Sequence, residues 1–156
     1  MSENGKNILL DRARAWCSRR EMCKSEVKTR LFKTDLSIDE INEIISILVE
    51  ENFIDETRFA KAFVHDKIAY QKWGMNKVKQ ALYYKGISKE NIDQALENVD
   101  KEEYLDKFLA VAIARKRSIK GETDYEKNQK LIRFLLSKGI NTDDIFRILK
   151  KMNEEN

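Results

Sequence analysis

ALYYKGISKENIDQAL, residues 81–96, is the stretch on which the fold turns. An apolar helical run ends at Lys85-Gly86, Ile87 follows, and Ser88 opens a second helix carrying Ile92, Ala95 and Leu96. The phrase returns at 134–149 as FLLSKGINTDDIFRIL, and more faintly at 30–45 as RLFKTDLSIDEINEII. Val27, Leu31, Ile41 and Ile45 match Val78, Leu82, Ile92 and Leu96 at a constant offset of 51. Those match Leu131, Leu135, Ile145 and Leu149 at an offset of 53. A fixed period of this size marks an internal repeat.

Each matched position has a physical reason. Gly86 and Gly139 stand just past a helix end, where glycine takes a left-handed backbone without a Cβ clash. Ile87 and Ile140 come next, placed to fold back on the helix just finished. Ser37, Ser88 and Asn141 occupy N-cap positions, whose side-chain oxygens accept from the free amides of the next helix. Glu40, three residues after Ser37, completes a capping box. Asp35 stands where the other phrases have glycine, so the first turn is expected to differ.

A third helix precedes each pair. The spacing predicts one over about 7–20, with Ile8, Ala15 and Trp16 near one face. It predicts a second over about 55–71, with Phe59, Phe63, Asp66 and Tyr70 as a stripe flanked by Ala62 and Ala69. The third covers about 101–118, with Tyr104, Leu105, Phe108, Leu109, Ala112 and Ile113 inward. Thr123-Asp124-Tyr125-Glu126 reads as another capping box. The expected fold is all-α: nine helices in three tandem three-helix units, residues 1–53, 54–99 and 100–156. A unit this small cannot bury a large core alone, so the units are expected to share apolar surface in an elongated, curved array. A helix of 15 residues is about 22 Å long, which gives three such units a span of roughly 70 Å.

Composition points the same way. The 156 residues include no proline and only five glycines, with 37% charged and 42% hydrophobic side chains, and no period-two apolar pattern appears. No apolar run is long enough to cross a bilayer, and MSENGKNILLDRAR at the start lacks a signal-peptide core, so a cytoplasmic protein is expected. Cys17 and Cys23 are read as free thiols.

Catalytic patterns are missing from the chain. The lone histidine, His65, is read as a partly buried or packing residue in mid-helix, and no phosphate-binding glycine loop or spaced set of metal ligands is present. A binding protein rather than an enzyme is expected, with no cofactor and no metal. Net charge is only +3, from 30 basic and 27 acidic side chains, but the basic residues cluster. Arg12, Arg19 and Arg20 lie with Trp16 on one side of the first helix. Arg115, Lys116, Arg117 and Lys120 crowd the end of the seventh. Lys72, Lys77 and Lys79 flank Trp73-Gly74, with Trp73 itself read as packing. These cations suit phosphates or an acidic protein groove; a solvated face and helix-dipole compensation account for them equally simply.

Asp55-Glu56-Thr57-Arg58-Phe59-Ala60, after LVEENFI (48–54), resembles the hallmark of the RecX regulatory family. WGMNKVKQALYYKGI (73–87), with Gly74 and Gly86, and QKLIRFLLSKGINTDDIFRIL (129–149), with Gly139, resemble two further family segments. The resemblance runs over about residues 8–150. Asn52 stands where the family often has glycine, Cys23 where it often has serine at a helix start, and Ile140 where an aromatic is usual. The resemblance implies a non-catalytic modulator of the RecA recombinase in DNA repair, recombination and the SOS response. It would bind the RecA filament on single-stranded DNA, touching DNA weakly or indirectly, and act as a monomer away from membranes. Arg58 either pairs with Asp55 or Glu56 or packs between units. Direct nucleic-acid binding without a recombinase, or an adaptor role on another filament, are the alternatives.

Overall fold

The computed structural model describes residues 2–155; Met1 and Asn156, the outer limits of the first and third expected units, lie outside the described residues. Among the described residues there are nine α-helices and no strand. They are α1 (Glu3–Arg19), α2 (Lys24–Leu31), α3 (Ile38–Glu50), α4 (Glu56–Ala69), α5 (Met75–Tyr84), α6 (Lys89–Glu97), α7 (Lys101–Ser118), α8 (Asp124–Ser137) and α9 (Thr142–Glu155).

The repeated corner is built as its residues dictate. Gly86 and Gly139 have φ of +81° and +93°. At each, the amide of the third residue past the helix reaches back five: Ile87 N–H donates to Leu82 O (3.1 Å) and Ile140 N–H to Leu135 O (3.3 Å). Both isoleucines are buried. The N-caps are equivalent too: Ser37 Oγ accepts from Glu40 N–H, Ser88 Oγ from Asn91 N–H, and Asn141 Oδ1 from Asp144 N–H, at 2.8–3.2 Å. The first corner differs. α2 ends at Leu31, Asp35 does not take a positive φ, and Thr34 closes the turn by donating its hydroxyl to Leu31 O.

Several expectations need correction. α1 starts at Glu3, because Ser2 caps it by accepting from Gly5 N–H. Its buried stripe is Leu9, Leu10, Ala13 and Cys17, not Ile8 and Ala15, which face solvent. On α4 the inward residues are Phe59, Ala60, Val64 and Ile68, whereas Asp66 and Tyr70 are exposed. In both helices the apolar positions fit two stripes, and only packing chooses between them. His65 is not partly buried: its side chain is 68% exposed, sits 3.2 Å from Asp66 Oδ1 and meets the exposed Tyr70 ring, edge-on at 5.9 Å. At Thr123 the Oγ1 accepts from Glu126 N–H, but the Glu126 carboxylate takes the Glu122 N–H instead of closing the box on Thr123.

By internal contacts the chain divides into two compact units, one of residues 1–62 with 82–95, the other of 63–81 with 96–156; the division runs through α4, α5 and the end of α6. In the first, α1 and α2 both pack on α3 around a core of Leu9, Leu10, Ala13, Val27, Leu31, Ile41, Ile44 and Leu48. Each such side chain, fully buried, contributes about 1.5–3 kcal/mol apart from alanine. Lys6, its stem buried, reaches Glu43 at 2.6 Å, and Arg14 grips both Glu51 oxygens at 2.8 and 2.9 Å; both ties run from α1 toward α3.

In the second unit α7, α8 and α9 pack on one another around Tyr104, Leu105, Phe108, Leu131, Leu135, Ile145 and Ile148. Gly74 lies against the α8–α9 corner so closely that a Cβ there would overlap Gly139 C, Gly139 O and Ile140 N. Its N–H donates to Lys138 O (2.6 Å) and Asn76 N–H to Gly139 O (2.8 Å). Tyr104 Oη accepts from Met75 N–H (3.0 Å), and Lys107 Nζ donates to the carbonyls of Ile68 and Ala69, the free C-terminal carbonyls of α4.

Candidate partner-binding surface

The Asp-Glu-Thr-Arg-Phe-Ala segment is engaged throughout. Asp55 Oδ1 accepts from Thr57 and Arg58 N–H and so caps α4. Glu56 accepts from Lys24 N–H (3.1 Å), at the start of α2, where Cys23 is a poor capping residue. Arg58 pairs with Glu21 (2.5 Å) rather than Glu56, lies 3.9 Å from Asp55, and donates to the carbonyls of Asn52 (3.0 Å) and Phe53 (3.5 Å). Phe59 and Ala60 are buried. Asn52 has φ +62°, a left-handed backbone that asparagine is among the residues to tolerate best.

The basic residues divide into engaged and free. On α1, Arg12 and Arg19 are exposed and make no ion pair among the described residues. Arg20 leaves the helical stripe, because the helix ends at Arg19 and its backbone turns extended; its guanidinium donates to Glu21 O (3.1 Å) and lies 3.4 Å from Glu26. Trp16 is half-buried under the Arg30 guanidinium, 5.0 Å from the ring centroid.

At the end of α7, Arg115 stacks over Phe134 at 4.4 Å. Lys116, Arg117 and Lys120 are exposed and make no ion pair among the described residues, and Lys130 is drawn in beside them by the Lys120 carbonyl (2.5 Å). From Arg115 to Lys138 eight cations, Arg115, Lys116, Arg117, Lys120, Lys127, Lys130, Arg133 and Lys138, face three carboxylates, Glu122, Asp124 and Glu126. Lys127, Lys130 and Arg133 continue the cluster onto α8, an extension that sequence spacing past the α7 end did not single out.

The α4–α5 corner holds a third group. Lys72 is exposed, with φ +55°. Lys77 is not a free cation: its Nζ lies 4.5 Å from the Trp73 ring centroid, with Lys67 at 4.7 Å and Phe63 edge-on. Trp73 is thus a half-buried platform for two ammonium groups.

One carboxylate organises the first unit. Glu26 accepts from Lys85 Nζ (3.0 Å) and Cys23 N–H (3.3 Å). Burial pushes its carboxyl pKa up, but the Lys85 ammonium, the Cys23 amide and Arg20 outweigh that and hold it below the ordinary carboxylate value. Among the described residues no three metal-ligating side chains come together, and no helix is long and apolar enough to cross a membrane.

Comparison with known proteins fits this fold. Two family profiles match, described as RecX, second three-helix domain, at residues 55–96, and RecX, third three-helix domain, at 102–149. The chain is 35% identical over 82% of its length to a regulatory protein RecX of Clostridium botulinum, and 37% identical over 83% to that of Clostridium beijerinckii. It spans about 60% of the length of these relatives, by coverages of 60% and 61%. A crystal structure of RecX from Lactobacillus salivarius superposes with a TM-score of 0.86 at 22% identity, over 97% of this chain and 99% of that one. Another crystal structure, of a regulatory protein RecX, superposes at 0.84 with 21% identity, over 93% and 73%. At those identities the likeness concerns the fold. Helix pattern, capped corners and sequence agree: the chain belongs to the RecX regulatory protein family.

Proposed function

We propose that this chain binds the RecA recombinase filament on single-stranded DNA in the cytoplasm, as a monomer, and restrains its ATP hydrolysis, strand exchange and co-protease activity. It acts by binding, not by catalysis, and requires no cofactor. The observation that carries this reading is the pattern of unpaired charge. The Asp55–Ala60 segment is spent on holding helices together, whereas Arg12, Arg19, Lys116, Arg117 and Lys120 stay exposed without ion pairs among the described residues. Such cations suit an acidic protein groove or filament-borne phosphates. With contacts from more than one unit, several modest interactions add through effective concentration. Lys72, Lys77, Arg20 and Arg115 contribute as supporting charges.

The test is a binding comparison. Labelled protein is titrated with RecA filament on single-stranded DNA and, separately, with the bare strand, over a range of salt. Tight binding to the filament and weak, steeply salt-dependent binding to the bare strand supports the proposal. Equal affinity for both sinks it in favour of direct nucleic-acid binding. Reversing Lys116 and Arg117 to glutamate is expected to weaken filament binding at least about tenfold without shifting the unfolding midpoint.

A further inference from the structure

The repeat offsets that align the core also align one position that is not core. Leu31, Leu82 and Leu135 are equivalent and each is 0% exposed. The residue after each is Phe32, Tyr83 and Leu136, and these are 59%, 72% and 47% exposed. None belongs to the buried core, although Tyr83 meets the likewise exposed Tyr84 edge-on, 6.0 Å between ring centroids. A single exposed apolar side chain is ordinary; what sets these apart is that three of them, all turned to water, recur at one repeat position. Other exposed apolar residues lack this pattern: Phe146 corresponds to Asp93 and Asn42. A cation stands about one turn before each side chain: Lys28 and Lys79 at equivalent positions, and Arg133 one residue past the third equivalent, Ile132; none has an ion pair among the described residues.

We propose that Phe32, Tyr83 and Leu136 are equivalent docking anchors, one for each three-helix unit, for a protein assembly whose successive subunits present the same apolar pocket rimmed by carboxylates. The inference rests on the filament reading above and names the contact it uses. A protein pocket is favoured over stacked bases because Leu136 has no π face, whereas phenylalanine, tyrosine and leucine all fill an apolar pocket. The neighbouring cation supplies the complement to an acidic rim. Equivalent anchors on repeated units match repeated pockets on a polymer, where each added contact multiplies the affinity of the last.

The experiment uses the full chain and RecA filament on single-stranded DNA, read by fluorescence anisotropy. Phe32→Ser, Tyr83→Ser and Leu136→Ser are each expected to weaken filament binding about five- to tenfold, and the triple variant by at least about a hundredfold. Phe146→Ser is the control, expected to bind as the parent does. Circular dichroism melts of all variants are expected to match the parent, because the substituted side chains are exposed. A triple variant within about twofold of the parent overturns the inference, as does a Phe146→Ser loss equal to the anchors'. A parallel loss of affinity for the bare strand overturns it by assigning the anchors to nucleic acid. Failure of the parent itself to bind the filament refutes the filament reading, and the inference with it.

Discussion

Gly74 and Gly86 provide a paired test of how the repeat is held together. Both are glycines beside α5, yet alanine should act on them by different routes. At Gly86 the backbone is left-handed and nothing lies within 4 Å of where an added methyl group would sit, so only conformational strain opposes the change. That strain, net of the lower entropy of the unfolded alanine chain, is about 1 kcal/mol. At Gly74 the φ is ordinary and the whole effect is space. The new Cβ would overlap backbone atoms of Gly139 and Ile140, which cannot swing aside as a side chain would. The α5 start must draw away from the α8–α9 corner, stretching the Gly74–Lys138 and Asn76–Gly139 hydrogen bonds. Two bonds at about 1 kcal/mol each and about 1–3 kcal/mol of overpacking give roughly 3–5 kcal/mol. The lower entropy of the unfolded alanine chain offsets about 0.4–1 kcal/mol of that. Urea unfolding followed at 222 nm is the assay. With a slope of about 2 kcal/mol per M, Gly74→Ala should lower the midpoint by about 1–2 M and Gly86→Ala by about 0.5 M. Equal shifts, or a larger one at Gly86, would refute the close-approach argument.

Two further perturbations probe the titrating groups. Glu26 has its folded pKa depressed, so its contribution is complete above the ordinary carboxylate value and fades as pH falls through the lower folded value. Glu26→Gln should therefore flatten the acid side of a plot of urea midpoint against pH. Tyr104, buried, has its phenol pushed up from 10.0 to about 12, against a partial opposing effect of the Met75 amide. Its proton is retained by the folded state when the unfolded chain has lost it, so stability should fall as pH rises from 10.0 toward about 12. Tyr104→Phe should remove that slope, while leaving the Met75 N–H without its acceptor lowers stability at neutral pH by about 1–3 kcal/mol.

What the sequence made legible was local. The corners at Gly86 and Gly139, and the caps at Ser37, Ser88 and Asn141, are set by the chemistry of a few adjacent residues, and the repeat period fixed where α2, α3, α5, α6, α8 and α9 lie. The faces of α1 and α4 were not legible, because Trp16 and Tyr70 are large enough to suggest a core that packing assigns to Ala13 and Val64 instead. Nor were the long-range ties. Arg58 finds Glu21, and Gly74 meets Gly139, across stretches of chain that no periodicity connects. For the candidate surface, clusters of charge could be read directly, but not which cations were already engaged. Arg20 bends out of its helix toward Glu26, Lys77 lies against Trp73, and Arg115 covers Phe134, leaving Arg12, Arg19, Lys72, Lys116, Arg117 and Lys120 as the exposed set.

The central claim, that this RecX-family chain restrains a recombinase filament, is tested most directly by ATP hydrolysis. The protein is added to RecA on single-stranded DNA at well below one chain per recombinase subunit, and the steady-state rate is recorded. The account predicts inhibition at these low ratios, relieved in the Lys116 and Arg117 charge-reversal variant. Unchanged hydrolysis, with the protein bound tightly to bare DNA, would contradict it.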